Sequence, residues 1–291
     1  MTVLEAIQKS ADFLGKKNVE SPRLQTELLL AHLLKMPRMK LYLNFDRVLT
    51  ASETDALREL VKRRGQREPL QHITGSTSFC GYEIAVNRHT LVPRPETELL
   101  AEEGWQFLIT RHSSLATALD FGTGTGCIDI ALAAKCQDAK IIALDISTDA
   151  LALAKQNAAQ NKVAERIEFV QGDGFGALPA GTQFDLIISN PPYIPSAEIA
   201  TLQPEVRDFD PRGALDGGAD GLDFYRMLAA QAKAFLKPDG KIMLEFGDGQ
   251  ADAIKNIFEN EKWIVEAVKE DYSQRERILV AKSSSSSSSS S

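Results

Sequence analysis

The chain has 291 residues, of which 43% are hydrophobic and 25% are charged, and its net charge is −7. This composition is typical of a soluble globular protein, and no apolar run approaches the roughly 18 residues that a membrane span needs, so we expect no membrane partner. The three cysteines lack the spacing of a zinc site or a disulfide framework, which predicts a reducing, cytoplasmic location.

The charge is unevenly distributed along the chain. Residues 1–92 carry a net charge of +4, whereas residues 93–291 carry −11. An acidic surface repels a phosphate backbone, so a nucleic acid is an unlikely direct substrate.

The first part of the chain, residues 1–72, has the pattern of a helical bundle. Ser21-Pro22 is typical of a helix start, and leucines at 24, 28, 29, 33 and 34 follow at roughly helical spacing. A basic run at 62–67 is expected to neutralise a helix end and to stay solvated. Alternating residues between turn signals in 73–92 predict a β-hairpin linker.

The second part, residues 93–282, alternates strands with helices. Strands are predicted at 116–121, 140–145, 167–170, 184–189 and 241–246, and an antiparallel pair at 263–268 and 277–281. One helix is expected to run from the glycine loop to residue 135, a second to begin after Ser147, and two more to lie at 222–236 and 251–258. The alternation predicts an α/β fold with a mostly parallel, doubly wound sheet, which binds ligands beyond the carboxyl ends of its strands. The all-serine tail, 283–291, is predicted to be disordered.

Three successive strand ends carry residues suited to binding a nucleoside. A glycine loop follows the first strand, Asp145 ends the second and could accept bonds from ribose hydroxyls, and Asp173 follows the third. Each feature alone also fits an ordinary turn or cap. A dinucleotide motif would need glycine where Cys127 stands, and a P-loop lysine is missing. The candidate cofactor-binding residues are Gly122, Thr123, Gly124, Thr125, Gly126, Asp145, Asp173, Gly174 and Phe175.

The tetrapeptide Asn190-Pro191-Pro192-Tyr193 follows the fourth strand. Two prolines make this turn stiff and remove backbone donors, although a simple exit turn has the same composition. The Asn190 side-chain oxygen and the Pro191 carbonyl could hold both N–H groups of an amide, whose nitrogen is otherwise a poor nucleophile. Tyr193 could supply an aromatic wall.

With these motifs, the chain resembles the release factor glutamine methyltransferase family. The resemblance runs from about residue 69 to 226 and includes the segments 69–75, 91–98, 204–211 and 214–222. It implies a seven-stranded, Rossmann-like class I methyltransferase domain at 93–282, a hairpin linker at 73–92 and a substrate-recognising helical domain at 1–72. The implied methyl donor is S-adenosylmethionine, with S-adenosylhomocysteine as product and no metal.

The resemblance also implies the substrate, which is the glutamine of the Gly-Gly-Gln motif in peptide chain release factors 1 and 2. We expect the enzyme to be a monomer. The implied catalytic residues are Asn190, Pro191 and Tyr193, Pro192 joins them in substrate binding, and Asn190 also contacts the cofactor. Many relatives carry a bulky residue where this chain has Gly174, so Phe175 is expected to contact the adenine instead. The segment 194–222 is expected to shape the mouth of the pocket, unless it is a surface insertion.

Three alternatives remain open from the sequence. A nucleic-acid methyltransferase that acts on exocyclic amines would share the tetrapeptide, and a ribosomal-protein glutamine methyltransferase would share nearly all the chemistry. A nucleoside-binding scaffold without activity would need no role for Asn190.

Overall fold

The computed structural model describes residues 1–111 and 115–284, and the predicted serine tail lies outside these residues from 285 onward. The chain divides into two compact units. A helical unit contains Met1–Ser76 together with Leu202–Phe209, and a sheet unit contains Thr77–Thr201 and the residues from Asp210 onward.

The described residues form the predicted strands, and they also form helices that were not predicted from the sequence, among them those at 95–109 and 204–207. The helices are α1 (Val3–Lys16), α2 (Pro22–Leu33), α3 (Arg38–Tyr42), α4 (Ala51–Gly65), α5 (Leu70–Thr74), α6 (Pro95–Ile109), α7 (Cys127–Lys135), α8 (Thr148–Gln160), α9 (Pro204–Arg207), α10 (Asp223–Gln231) and α11 (Ala251–Asn260). The strands are β1 (Ser76–Phe79), β2 (Tyr82–Ala85), β3 (Thr117–Phe121), β4 (Lys140–Asp145), β5 (Ile167–Gln171), β6 (Phe184–Ser189), β7 (Leu236–Glu245), β8 (Trp263–Glu270) and β9 (Glu276–Ser283). No helix in the described ranges is long and apolar enough to cross a membrane.

The helical unit begins its longer helices with side-chain caps. Thr2 and Thr50 each accept a bond from the backbone of a glutamate three residues later, whose carboxylate bonds back to the cap residue, and these capping boxes satisfy amides that the first helical turn leaves free. The core takes Leu29 and Leu30 from α2, whereas Leu24 of the predicted apolar stripe is exposed. The stripe is therefore rotated relative to the prediction.

Two arginines of the basic run at 62–67 do not stay solvated. Arg64 and Arg67 both bind the Glu205 carboxylate at 2.7 and 2.6 Å, and the Arg64 side chain is only 4% exposed. These ion pairs attach the 202–209 segment to the helical unit. The prediction that the run stays solvated is therefore wrong for Arg64 and Arg67, because an acidic residue distant in sequence pairs with both.

The sheet unit contains, within its described residues, a seven-stranded sheet in the order β5-β4-β3-β6-β7-β9-β8. The first five strands are parallel, and β9 pairs antiparallel with both of its neighbours. Helices α6, α7 and α8 cover one face, and α10 and α11 cover the other. The predicted seven-stranded, mostly parallel, doubly wound sheet is confirmed.

Three local differences separate the sheet unit from its prediction. Strand β7 begins at Leu236, because Leu236 pairs with Phe184 ahead of a register shift. The predicted helix at 222–236 consequently ends as a 3-10 turn. Ser283 pairs with Trp263 in the sheet, so the prediction of disorder is wrong for Ser283.

The predicted hairpin is also present. Strands β1 and β2 pair, and Cys80 and Gly81 both have a positive φ in the turn between them, as a tight hairpin requires. The side chains of Phe79 and Ile84 are buried in the core of the sheet unit.

Candidate active site

The predicted site residues lie at the carboxyl ends of four parallel strands. The glycine loop follows β3, Asp145 ends β4, Asp173 comes two residues after β5, and Asn190 follows β6. Because these strands are adjacent and parallel, their carboxyl ends lie at one edge of the sheet. This edge is where doubly wound folds bind ligands.

The glycine loop uses its three glycines in two ways. All three have a positive φ, which residues other than glycine rarely adopt. A Cβ atom at Gly126 would lie 3.0 Å from that of Ala154, so Gly126 allows α7 and α8 to approach closely. A Cβ atom at Gly122 or Gly124 would contact nothing within 4 Å. The backbone at these two positions therefore faces open space that a ligand can fill.

Asp145 braces the glycine loop. Its Oδ2 atom accepts a bond from the Gly124 amide at 2.9 Å, and its Oδ1 atom accepts one from the Ser147 amide at 2.8 Å. Ser147, as predicted, caps the following helix by accepting from the Ala150 amide. An ionised carboxylate has about four acceptor positions, so Asp145 keeps capacity for the hydroxyl groups of a ribose.

Two buried acids lie beneath the loop, and neither was given a role from the sequence. Asp120 and Asp129 are fully buried, and the Thr123 hydroxyl donates a hydrogen bond to Asp129. Neither Asp120 oxygen has a hydrogen-bond partner among the described residues. Burial raises the pKa of both carboxyls, and the nearby charge of Asp145 adds to this. The sequence does contain one signal for a buried acid, because Asp129 is the only acidic residue in the otherwise apolar first part of α7.

These acids define the kind of cofactor that fits. The charge of Asp145 makes the potential around the loop negative, which opposes a pyrophosphate and favours a cation, whereas the raised pKa values of Asp120 and Asp129 reduce the charge on these two buried acids. A nucleoside that carries an ammonium and a sulfonium group meets both requirements, because its ribose suits Asp145 and its positive charges suit the negative potential. The residues present therefore fit a cationic nucleoside donor.

The predicted adenine contact by the Phe175 ring is wrong. This ring is 2% exposed, and its centroid lies 4.7 Å from that of Phe235 and 5.1 Å from that of Phe121. The ring is part of the apolar core of the sheet unit. Gly174 has a φ of +83° with open space at its Cβ position, and Asp173 is exposed, so these two residues remain candidates for the adenine.

The Asn190 turn is held beside the glycine loop. The hydroxyl of Ser189 donates to the Phe121 carbonyl at 2.5 Å, which joins the ends of β6 and β3. Within the described part of the chain, no donor is bonded to the Pro191 carbonyl or to the Asn190 Oδ1 atom. Both oxygens are therefore available to a substrate.

Tyr193 is fixed on the other side of the turn. Its carbonyl accepts from the Gln250 side chain at 2.9 Å, and its ring packs on the core beside α10 and α11. A Cβ atom at Gly221 would clash with the same carbonyl, so glycine is needed where the chain passes. Burial raises the pKa of the Tyr193 phenol to about 12, which keeps the ring neutral, as an aromatic wall for a planar amide requires.

Asn190 has two further neighbours, Thr97 and Glu245, and neither was given a role from the sequence. The Asn190 Nδ2 atom donates to the Thr97 hydroxyl at 3.0 Å. The carboxyl group of Glu245, at the end of β7, is within hydrogen-bonding reach of the Thr97 and Asn190 side chains. Burial raises the pKa of Glu245 to about 7.

The ends of the 194–222 segment lie together in the sheet unit. The Ile194 amide donates to the Leu215 carbonyl at 3.0 Å, and the Gly217 amide donates to the Ile194 carbonyl at 2.9 Å. Arg94 binds the buried Asp210 at 2.8 Å. These contacts fix both ends of the segment next to the Asn190 turn.

Comparison with known proteins identifies both parts of the chain. Residues 5–75 match a family model described as the PrmC N-terminal domain, and residues 101–203 match one described as the methyltransferase small domain. A methyltransferase from Pyrococcus furiosus is 21% identical with a TM-score of 0.52, covering 76% of this chain and 97% of its own, which shows the shared fold.

Proteins named release factor glutamine methyltransferase match nearly the whole chain. The one from Geobacter sulfurreducens is 44% identical over 88% of this chain and 88% of its own length. The one from Chlorobaculum tepidum is 40% identical over 96% of each. The chain belongs to the release factor glutamine methyltransferase family.

Proposed function

We propose that this protein transfers a methyl group from S-adenosylmethionine to the side-chain amide nitrogen of the glutamine in the Gly-Gly-Gln motif of peptide chain release factors 1 and 2. The names of the relatives support release factors as the protein class. The helical unit, predicted at 1–72, would recognise the release factor. The sheet unit would carry out the methyl transfer.

The observation that carries this proposal is the pair of available oxygens at the Asn190 turn. A primary amide presents two N–H groups on one nitrogen, and the Asn190 Oδ1 atom and the Pro191 carbonyl are two acceptors on one stiff turn. Two bonds from the amide nitrogen would hold it in place and favour the positive charge that develops on it during attack.

The donor side rests on the glycine loop and its acids. S-adenosylmethionine supplies an electrophilic methyl group on a sulfonium sulfur. Asp145 would bind its ribose, and the open backbone at Gly122 and Gly124 would lie against it. The Asp145 carboxylate would favour this positively charged donor over the product, which lacks the sulfonium charge, and this difference promotes exchange after transfer.

The charge of the sheet region favours a protein substrate over a nucleic acid. Residues 93–291 carry a net charge of −11. An exocyclic base amine would fit the same two oxygens, but binding of a phosphate backbone depends on Lys and Arg contacts, which a negative surface opposes.

The test is to incubate the protein with methyl-labelled S-adenosylmethionine and purified release factors 1 and 2, and then to map the label by mass spectrometry. We expect one methyl group per release factor, on the side-chain nitrogen of the Gly-Gly-Gln glutamine. Release factors in which that glutamine is replaced by alanine provide the matched control and should stay unlabelled.

Parallel incubations with ribosomal proteins, RNA and DNA distinguish the alternatives. Label in a ribosomal-protein glutamine or in a nucleic acid, with none in either release factor, would overturn the proposal. Label in release factors that lack the glutamine would overturn the assignment of the methylated residue.

A further inference from the structure

Glu245 is a buried carboxyl group that the proposed chemistry leaves without a role. Strands β6 and β7 are parallel, and Ser189 of one lies opposite Leu244 of the other. The next residues are Asn190 and Glu245, which therefore lie side by side at the same edge of the sheet. Glu245 is 2% exposed, which is unusual for a glutamate and calls for a compensating interaction.

The main chain of Glu245 is held firmly. The buried hydroxyl of Tyr225 donates to the Glu245 carbonyl at 2.8 Å. Its side chain faces the Thr97 hydroxyl and the Asn190 amide, and its Oε2 atom has no hydrogen-bond partner among the described residues. Thr97, which is also buried, accepts from Asn190 Nδ2. The three side chains thus form one cluster behind the turn.

The orientation of the Asn190 carboxamide decides whether the proposed site works. A carboxamide has an acceptor oxygen on one side and a donor amino group with two hydrogens on the other. If the amino group points at Thr97 and Glu245, both of its hydrogens have acceptors and Oδ1 faces the substrate. In the reversed orientation, the Asn190 oxygen would face the Glu245 carboxyl, and its amino group would oppose that of the substrate.

We propose that Glu245 and Thr97 are positioning residues that hold both hydrogens of the Asn190 amino group and thereby direct the Asn190 Oδ1 atom at the substrate nitrogen. This inference rests on the proposed function. Neither residue touches the reacting atoms.

The surroundings of Glu245 also predict how pH acts on this cluster. Its charged and titratable neighbours are Glu96 from α6, Arg277 from β9, the partly buried phenol of Tyr193 and the buried phenol of Tyr225. Burial raises the pKa of Glu245 to about 7, and the neighbouring Thr97 and Asn190 side chains partly oppose this. Protonation therefore weakens the acceptor, and kcat should fall as the pH decreases through about 7.

The test compares Glu245→Leu, Glu245→Gln and the wild type in the release factor assay. Leucine removes the acceptor, so kcat should fall roughly 10- to 100-fold, as for other residues that orient a reacting group, while KM and cofactor affinity change little. Glutamine keeps one acceptor oxygen, so kcat should stay within several-fold of the wild type without the inflection near pH 7. Asp185→Asn, which changes a buried acid at the start of β6, is the matched control and should leave kcat unchanged.

A double variant separates positioning from general damage to the fold. If Glu245 acts through Asn190, then Glu245→Leu should have no further effect on the residual rate of Asn190→Ala. An equal decrease in both backgrounds, or a wild-type kcat for Glu245→Leu, would overturn the inference. If Glu245→Leu does not fold, Thr97→Val and Thr97→Ser carry the same test, and only the valine variant should lose activity.

One measurement keeps the inference separate from the proposed function. If the wild type labels no release factor, the proposed function fails. The Asn190 side-chain amide can still be followed by NMR across pH 5–9 without substrate. Its resonances should titrate in the wild type and stay constant in Glu245→Gln. Equal behaviour of the two proteins would overturn the positioning role by itself.

Discussion

The Asn190 side chain donates a hydrogen bond to the hydroxyl of Thr97 across a 3.0 Å distance, although the two residues are 93 positions apart in sequence. Asn190 follows strand β6, and Thr97 lies in the first turn of α6. The helix that follows the hairpin linker therefore supplies part of the support for the candidate substrate-binding turn. Changes at either residue should affect the same step.

Replacing Asn190 by alanine should slow methyl transfer by on the order of 10²-fold or more, because one of the two groups that hold the substrate nitrogen is lost. Cofactor affinity, measured by calorimetry, should largely survive. Asn256→Ala, which changes an exposed asparagine of α11, is the control and should behave as the wild type. Unchanged turnover of Asn190→Ala would remove the mechanism.

Asp145→Ala should weaken binding of S-adenosylmethionine roughly 100-fold, because it removes the ribose acceptor and also frees the amides of Gly124 and Ser147. The measurement is the dissociation constant for S-adenosylhomocysteine by calorimetry. Asp149→Ala, only four residues away on the surface of α8, should bind normally. Equal affinities for both variants would show that the nucleoside does not bind at the end of β4.

Two glycines of the loop should respond differently to alanine. Gly126→Ala meets Ala154 and a φ of +77°, so it should destabilise the protein by about 2 kcal/mol or more in chemical denaturation. The added methyl group of Gly122→Ala has no protein atom within 4 Å. The variant should therefore be destabilised only by the positive φ at this position, by about 1 kcal/mol. Its methyl group enters the proposed cofactor space, and cofactor affinity should fall roughly 10-fold. The opposite order of stabilities would contradict the assigned packing.

Stability should depend on Glu245 in a defined pH window. Its pKa is raised from 4.5 to about 7, so its contribution to folding is fully present below about pH 4.5 and is lost as the pH rises through 7. Glu245→Gln should therefore gain stability relative to the wild type between pH 4.5 and 8, by up to about 3 kcal/mol at 1.36 kcal/mol per pKa unit. Urea denaturation at several pH values measures this difference.

Asp185 is a control whose contribution to stability should change with pH in the opposite direction. Burial alone would raise its pKa, but hydrogen bonds from Lys237 and Thr117 outweigh burial and lower it. The stability that Asp185 contributes is therefore lost as the pH falls below the ordinary pKa of an aspartate. The difference in unfolding free energy between Asp185→Asn and the wild type should accordingly become smaller in acid. If the difference in unfolding free energy between Glu245→Gln and the wild type did not change with pH, the raised pKa of the buried Glu245 carboxyl would be contradicted.

Glu205→Gln should release the 202–209 segment from the helical unit. The change leaves the guanidinium of Arg64 buried without its counter-charge, which costs about 3–5 kcal/mol for a pair of this kind. Hydrogen exchange in 202–209 should accelerate, and the melting temperature should fall. Asp55→Asn removes an exposed ion pair with Arg58 in the same unit and should change neither quantity.

The sheet and its ligand-binding edge could be predicted because their signals are local. The six residues of β6 are all buried, and the apolar run Leu186-Ile187-Ile188 at its centre is typical of a central parallel strand. The turn that follows them contains two prolines, which few structures other than a stiff loop accommodate. Strand β7 was predicted too short because Lys237-Pro238-Asp239-Gly240 has the composition of a turn.

The supporting residues could not be predicted because their signals depend on distant contacts. A single glutamate at a strand end has the same local pattern whether it is solvated or buried, and the packing of distant elements such as α6 against β7 buries Glu245. Phe175 was assigned to adenine because nothing near it in sequence shows that Phe121 and Phe235 enclose its ring. Glu205 is likewise far in sequence from the arginines that bind it.

A crystal structure of the protein with S-adenosylhomocysteine and a peptide that contains Gly-Gly-Gln would show directly how the glutamine binds. We expect the two glutamine N–H groups to bind the Asn190 Oδ1 atom and the Pro191 carbonyl, with the nitrogen facing the sulfur of the product. A glutamine bound elsewhere, or a sulfur directed away from the Asn190 turn, would contradict this expectation.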